Sequence, residues 1–202
     1  MELLLLASSN RGKLREYRAL AGASSIELQL IPSFGELPPF DESASTFAEN
    51  AAGKAQHFSR FAEGIVLADD SGLVVPALGG APGVLSARYA GRNATDGDRV
   101  QKLLREMQGK QGEERRARFV CVAAIARGGR VLAVVSDLAQ GLIVDEPRGT
   151  DGFGYDPVFY FEELGRTYAE ASREEKNRSR HRGKAFRKLL ALLNPSESIR
   201  VL

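Results

Sequence analysis

One cysteine, two histidines and a net charge of only +2 mark what this 202-residue chain has little of. A lone cysteine, Cys121, excludes an internal disulfide and any cysteine-based zinc site, which fits a reducing compartment. It lies in the apolar run RFVCVAAIA, where no cation adjoins it, so it reads as a small core residue rather than a nucleophile. The small net charge argues against a nucleic-acid binder that works through its overall field, so any basic patch is local. No apolar stretch approaches the ~20 residues needed to span a bilayer. Glu2 stands where an export signal carries basic residues, and LLLLA is short for the apolar part of one. A cytoplasmic protein is therefore expected. There is no internal repeat and no linker rich enough to separate domains. The length favours one domain over 1–202, with room for two lobes.

What is present is ordinary globular material: 43% hydrophobic and 27% charged residues, enough to build a core. Residues 3–7 read as a buried strand, 13–21 as a helix stopped by Gly22, and 26–31 as a second, alternating strand. PSFGELPPFDES is a loop. Thr46-x-x-Glu49 is a capping box whose helix is expected to run to about Gly64. IVLA follows as a short buried strand, expected to stop at Asp69-Asp70-Ser71-Gly72, with LVVPALGGAPG as strand and turn. A helix fits 96–108. Apolar runs at 117–126 and 131–137 flank Gly128-Gly129, a hairpin signal. GTDGFGYDPVFY is a Gly-rich loop feeding a strand, and about 180–193 is a basic-then-apolar helix. Alternating strands and helices followed by a hairpin predict a mixed α/β sheet.

Five stretches carry groups suited to chemistry. In LLLASSNRGKLREY a strand feeds a turn and a helix, so backbone N–H groups and the helix dipole converge near Ser8, Ser9, Asn10 and Lys13. This is a phosphate cradle or a surface turn with a solvated lysine, and it is not a Walker A loop. Asp69 and Asp70 follow a buried strand, where α/β sheets place ligands. Adjacent residues of an extended chain face opposite ways, so one can serve a metal and water while the other braces the backbone. The plainer reading is an Asp-rich turn. Asp41 and Glu42 precede a helix and are either a second metal ligand or charges complementing its dipole. Glycines around Phe153 and Tyr155 allow close approach to a flat ligand that an aromatic ring can stack on. Asp156, held extended by Pro157, can accept ring N–H groups. SREEKNRSRHRGKAFRKLL gathers basic residues and His181 near a helix start, although such a run is usually a solvated face. His57 follows a helical Ala/Lys pattern and is taken as structural or exposed. Together these stretches propose a nucleotide, with phosphates at Lys13, a metal on carboxylates and a base against Phe153.

The ordered motifs ASSNRGKLRE, TFAENAAGKA, ADDSGLVVPALGGAPGVLSARYAG, GFGYDPVF and REEKNRSRHRGKA span nearly the whole chain. In them the chain resembles the noncanonical purine nucleoside triphosphate pyrophosphatases, the inosine triphosphatase (Ham1/RdgB-like) family. The resemblance implies an elongated α/β fold with a long curved mixed sheet and two lobes around a central substrate cleft. It also implies a Mg²⁺-dependent homodimer that hydrolyses ITP, dITP and XTP to monophosphate and pyrophosphate. By motif, Asp70 is implied as general base and metal ligand and Glu42 as a second metal ligand. Ser8, Asn10, Lys13, Ser71 and Lys176 are implied to hold the triphosphate and sugar. Phe153, Gly154, Tyr155, Asp156, His181 and Arg182 are implied to line the base pocket. Two departures stand out. Ser8-Ser9-Asn10 replaces the usual Thr-Gly-Asn, removing glycine's backbone freedom at Ser9. Arg180 replaces the usual serine before His-Arg.

Donors at His181 and Arg182 would suit a 6-oxo acceptor, which hypoxanthine and xanthine present and adenine does not. Two alternatives are weighed. A Maf-like pyrophosphatase for modified nucleotides would share LLLASSN but not ADDSG or HRGKA. A non-catalytic nucleic-acid-binding protein would need aromatics interleaved with the arginines and a larger net charge. No nucleic-acid or membrane partner is expected.

Overall fold

The computed structural model of the chain describes residues 2–22, 24 and 26–193. Seven strands form one sheet in the order β2-β1-β3-β4-β5-β6-β7. The strands are β1 (Glu2–Leu6), β2 (Ile26–Leu30), β3 (Ile65–Val74), β4 (Arg116–Arg127), β5 (Arg130–Ile143), β6 (Phe159–Phe161) and β7 (Arg166–Thr167). The helices are α1 (Arg11–Ala21), α2 (Phe47–Phe58), α3 (Asp96–Glu106), α4 (Arg173–Ser179) and α5 (His181–Leu193). β1 pairs in parallel with β2 and β3, while β6 runs antiparallel to β5 and β7. The sheet is mixed, as expected. Among the described residues no helix is long and apolar enough to cross a membrane.

Internal contacts divide the chain into two compact units. The first takes residues 1–70, 121–137 and 182–202. Its core joins Leu4 and Leu6 of β1, Ile65 and Leu67 of β3, and Ala123 and Ile125 of β4 to Tyr17 of α1 and Phe186 and Leu189 of α5. Tyr17 meets Phe186 edge to face at 5.4 Å. The continuous leucines of β1 are what a central parallel strand covered on both faces requires. β2, at the sheet edge, keeps the alternation of a half-covered strand.

The second unit takes residues 71–120 and 138–181. Val100, Leu103 and Met107 of α3 pack there with the rings of Phe119, Phe159, Phe161 and Tyr168. α3 starts at a complete capping box, in which Thr95 and Asp98 each satisfy the other's backbone N–H.

Several boundaries differ from the sequence expectation. β3 does not stop at Asp69 but runs through Asp69, Asp70, Ser71 and Gly72 to Val74. The aspartates tolerate a buried strand because side chains from elsewhere in the chain meet them, as described below. α2 ends at Phe58 rather than Gly64. Ser59, Arg60 and Phe61 turn the chain off through bonds to Ala55, His57 and Phe58, and the Ser59 hydroxyl donates to the Gln56 carbonyl. α1 begins two residues early, capped by Asn10. The C-terminal basic stretch forms two helices, because Ser172 and Glu175 build a further capping box that opens α4. The expected hairpin turn is present, with Gly128 and Gly129 both at positive φ, the backbone that a two-residue turn of this kind needs. His57 is structural: its Nε2 lies 2.8 Å from the Pro38 carbonyl, and its ring packs with Phe40, Phe58 and Phe61.

Leu103 is fully buried in the second unit's core. Leu103→Ala is expected to cost about 2–5 kcal/mol, read as a lower guanidinium midpoint of unfolding.

Candidate active site

In the first unit the polar residues collect on either side of β3. Asn10 accepts hydrogen bonds from the backbone N–H groups of Gly12 (2.8 Å) and Lys13 (3.1 Å), and its own N–H donates to Ser8 Oγ (3.2 Å). Two of the helix-terminal donors expected to face a phosphate are thus already bonded to Asn10. Lys13, in the first turn of α1, reaches Asp69, with Nζ 3.1 Å from Oδ2 and 3.2 Å from the backbone carbonyl. Asp69 is 1% exposed and also accepts from Arg182 Nε at 3.4 Å. Arg182, 3% exposed, pairs in turn with Glu16, one turn along α1 from Lys13. Burial pushes the Asp69 carboxyl up, but Lys13, Arg182 and Lys54 outweigh it and hold it at about 2.

Asp70, the next residue, lies at the opposite phase of the strand. Its Oδ2 accepts from Asn50 Nδ2 at 2.9 Å. Burial raises its carboxyl, and the charges of Glu42 and Asp69 add to that rise, against Lys13 and the Asn50 bond. Asn50 also exchanges hydrogen bonds with the backbone of Ala44. It thereby ties the segment carrying Glu42 to Asp70. Lys54, one turn further along α2, pairs with Glu42 at 2.5 Å. Cys121 is buried, and burial together with the Asp69 charge lifts its thiol to about 12. It is a core residue, as read, although Lys13 and Arg182 do come near it through space.

The second unit holds the other group. Asp156 is 0% exposed, pairs with Arg180 and accepts from the Phe153 N–H at 3.2 Å. The Phe153 ring is half-buried. The Gly154 N–H donates to Asp96 Oδ2 at 2.7 Å. Tyr155 belongs to the apolar core, its hydroxyl donating to the Ser86 carbonyl at 2.9 Å. The His181 ring stacks on Phe119 at 4.9 Å, almost parallel. Lys176 is buried on α4, and Ser71 is half-buried on β3.

The structure therefore brings Lys13, Asp70, Glu42 and, unexpectedly, Arg182 into the first unit. Phe153, Gly154, Tyr155, Asp156, Lys176 and His181 fall in the second, with Ser71. Arg182 was expected at a base, but its guanidinium is engaged by Asp69 and Glu16. Sequence reasoning missed Glu16, Asn50, Lys54 and Asp96. For the first three a signal existed: Glu16 lies three residues after Lys13, and Asn50 and Lys54 lie four apart on one helix face.

A model of the Ham1 family matches residues 4–192, and the chain belongs to that family. A dITP/XTP pyrophosphatase of Geobacillus kaustophilus (strain HTA426) is 50% identical over 189 residues, covering 94% of this chain and 93% of that protein. One from Gloeobacter violaceus (strain ATCC 29082 / PCC 7421) is 47% identical, covering 95% and 94%. The structure of a HAM1 protein from Coxiella burnetii superposes with a TM-score of 0.85 at 41% identity, covering 96% of this chain and 100% of that one.

The depressed Asp69 carboxyl gives a sign for acid stability. A group whose folded pKa lies below its unfolded value stabilises above the unfolded value and loses that contribution as pH falls through the folded one. In metal-free protein, lowering the pH from 4 to 2 is expected to remove about 2 kcal/mol of the stability difference between wild type and Asp69→Asn. Denaturant titrations across that window measure it.

Proposed function

We propose that the chain is a nucleoside triphosphate pyrophosphohydrolase acting on dITP, XTP and ITP, releasing monophosphate and pyrophosphate and so clearing unusual purines from the nucleotide pool. The names of its relatives support this reading. The single structural observation that carries it is the contrast between the surroundings of the adjacent aspartates. Asp69 is neutralised by Lys13 and Arg182, whereas Asp70 is made more basic by burial and by its carboxylate neighbours.

Mg²⁺ fits the residues present. The mutual repulsion of Asp70 and Glu42 is what a divalent cation relieves, and both offer hard oxygen donors. Among the described residues no three His, Cys, Asp or Glu side chains gather into a metal cage. Mg²⁺ takes one or two carboxylates and completes its shell with phosphate and water. Asp70 and Glu42 would hold the ion, which when bound supplies charge neutralisation at the phosphate oxygens.

The protein's own groups then act by position. Asp70 orients a water toward the α-phosphorus and accepts its proton. Lys13, fixed by Asp69, presents its charge to the triphosphate, with Ser8, Asn10, Ser71 and Lys176 as further contacts. Phe153 stacks on the base. His181 donates to its 6-oxo group. Adenine, with an amino group at that position, leaves that donor unpaired. The 2-amino group of guanine is the remaining handle for its exclusion. The assembly proposed is a homodimer, which would cover Leu132 and Val134, left exposed on β5.

The test is to incubate the protein with Mg²⁺ and dITP, dGTP or ATP separately and assay pyrophosphate against orthophosphate. Pyrophosphate from dITP, with little from the other two, is expected. Orthophosphate would move the attack to the γ-phosphorus and overturn the proposal. Asp70→Asn is expected to lower kcat about a hundred- to ten-thousand-fold with an unchanged circular dichroism spectrum. A near-normal kcat removes Asp70 as the base. Chelating Mg²⁺ should stop turnover, and Glu42→Gln should raise the Mg²⁺ concentration giving half-maximal rate. An unchanged Mg²⁺ requirement excludes Glu42 as a ligand.

A further inference from the structure

Arg180 ends α4 in extended backbone and directly precedes His181. It is 4% exposed, and its guanidinium pairs with the fully buried carboxylate of Asp156. That carboxylate also accepts the N–H of Phe153. Its approach depends on Gly152, where φ is +98° and an added Cβ would sit 2.0 Å from Asp156 Oδ2. The guanidinium carbon of Arg180 meanwhile lies 4.7 Å from the Tyr168 ring centre and 5.7 Å from that of Phe153. One buried ion pair therefore touches Phe153 twice: the carboxylate holds its backbone, and the guanidinium lies against its ring.

We propose that the Arg180–Asp156 pair is a latch that fixes Phe153 as the stacking platform for the purine. This makes Arg180 a positioning residue for base binding, and the proposal rests on the functional reading above. Removing one partner of a buried pair strands the other charge, so the latch is either complete or costly. It also ties the segment bearing Phe153 to the start of the helix bearing His181, so both base-side groups share one anchor.

The chain has no tryptophan, so Phe153→Trp introduces a single indole at the platform. Without substrate, acrylamide is expected to quench that indole weakly. Adding Arg180→Met should raise the quenching constant about threefold, as for a ring released from a fixed setting, and adding Arg180→Lys instead should restore part of the protection. An unchanged constant overturns the latch. Arg180→Met leaves the Asp156 charge buried alone and can prevent folding. The same measurement is therefore made with Arg180→Met combined with Asp156→Asn, which removes both charges and keeps an acceptor for the Phe153 N–H. The rise is expected there too, and its absence overturns the proposal. In the otherwise unaltered enzyme, Arg180→Met should raise KM for dITP about tenfold and change kcat less than about twofold. A fall in kcat at constant KM overturns the positioning role. A wild-type protein that does not hydrolyse dITP would refute the functional reading and leave the quenching result to judge the latch.

Discussion

The buried carboxylate of Asp69 is the interaction on which the first unit's polar architecture depends. A lone carboxylate in a central strand would cost several kcal/mol in lost hydration. Here it is met from α1 by Lys13 and from α5 by Arg182, and Arg182 is balanced by Glu16. These ties let β3 continue past both aspartates. Asp70 is consequently carried on a hydrogen-bonded strand rather than on a turn, and its direction is set by the sheet. Asn50 then fixes the Asp70 carboxylate and the Glu42 segment together from α2.

The polar groups of each unit stand on that unit's own core. In the first unit the apolar contacts of α1 and α5, seen in Tyr17 against Phe186, accompany Lys13, Glu16 and Arg182. In the second unit the aromatic cluster of Phe119, Phe159, Phe161 and Tyr168 accompanies the Arg180–Asp156 pair, with His181 stacked directly on Phe119. Rigid apolar packing under polar residues restricts their rotamers, which is what a site working by position needs.

Much of this could be read in the sequence, and what could not has definable causes. The leucine run of β1, the Gly-Gly hairpin and the Thr46 cap were legible because their signals are local. The continuation of β3 was not. Two adjacent aspartates argue against a strand until Lys13, Arg182 and Asn50 are brought in from 56, 113 and 20 residues away. That Asp69 and Asp70 face opposite ways was legible from strand periodicity alone, but the partners each one meets were not, because they come from distant parts of the chain. The partner of Arg182 was hidden for the same reason, since Glu16 lies 166 residues from it. α4 went unseen because seven residues carry too little periodicity, although Ser172-x-x-Glu175 marks its start.

The different surroundings of Asp69 and Asp70 rest on strand parity. Both carry the same functional group, and each acquires its partners from the face of β3 on which it falls. Gaining or losing one residue between Ile65 and Asp69 would exchange those faces while leaving composition and charge untouched. With one residue lost, Asp70 would stand where Asp69 meets Lys13 and Arg182; with one gained, Asp69 would stand where Asp70 meets Asn50. This short segment should therefore be far less tolerant of insertions and deletions than of apolar substitutions, so that in the descent of such chains its length is held more tightly than its letters.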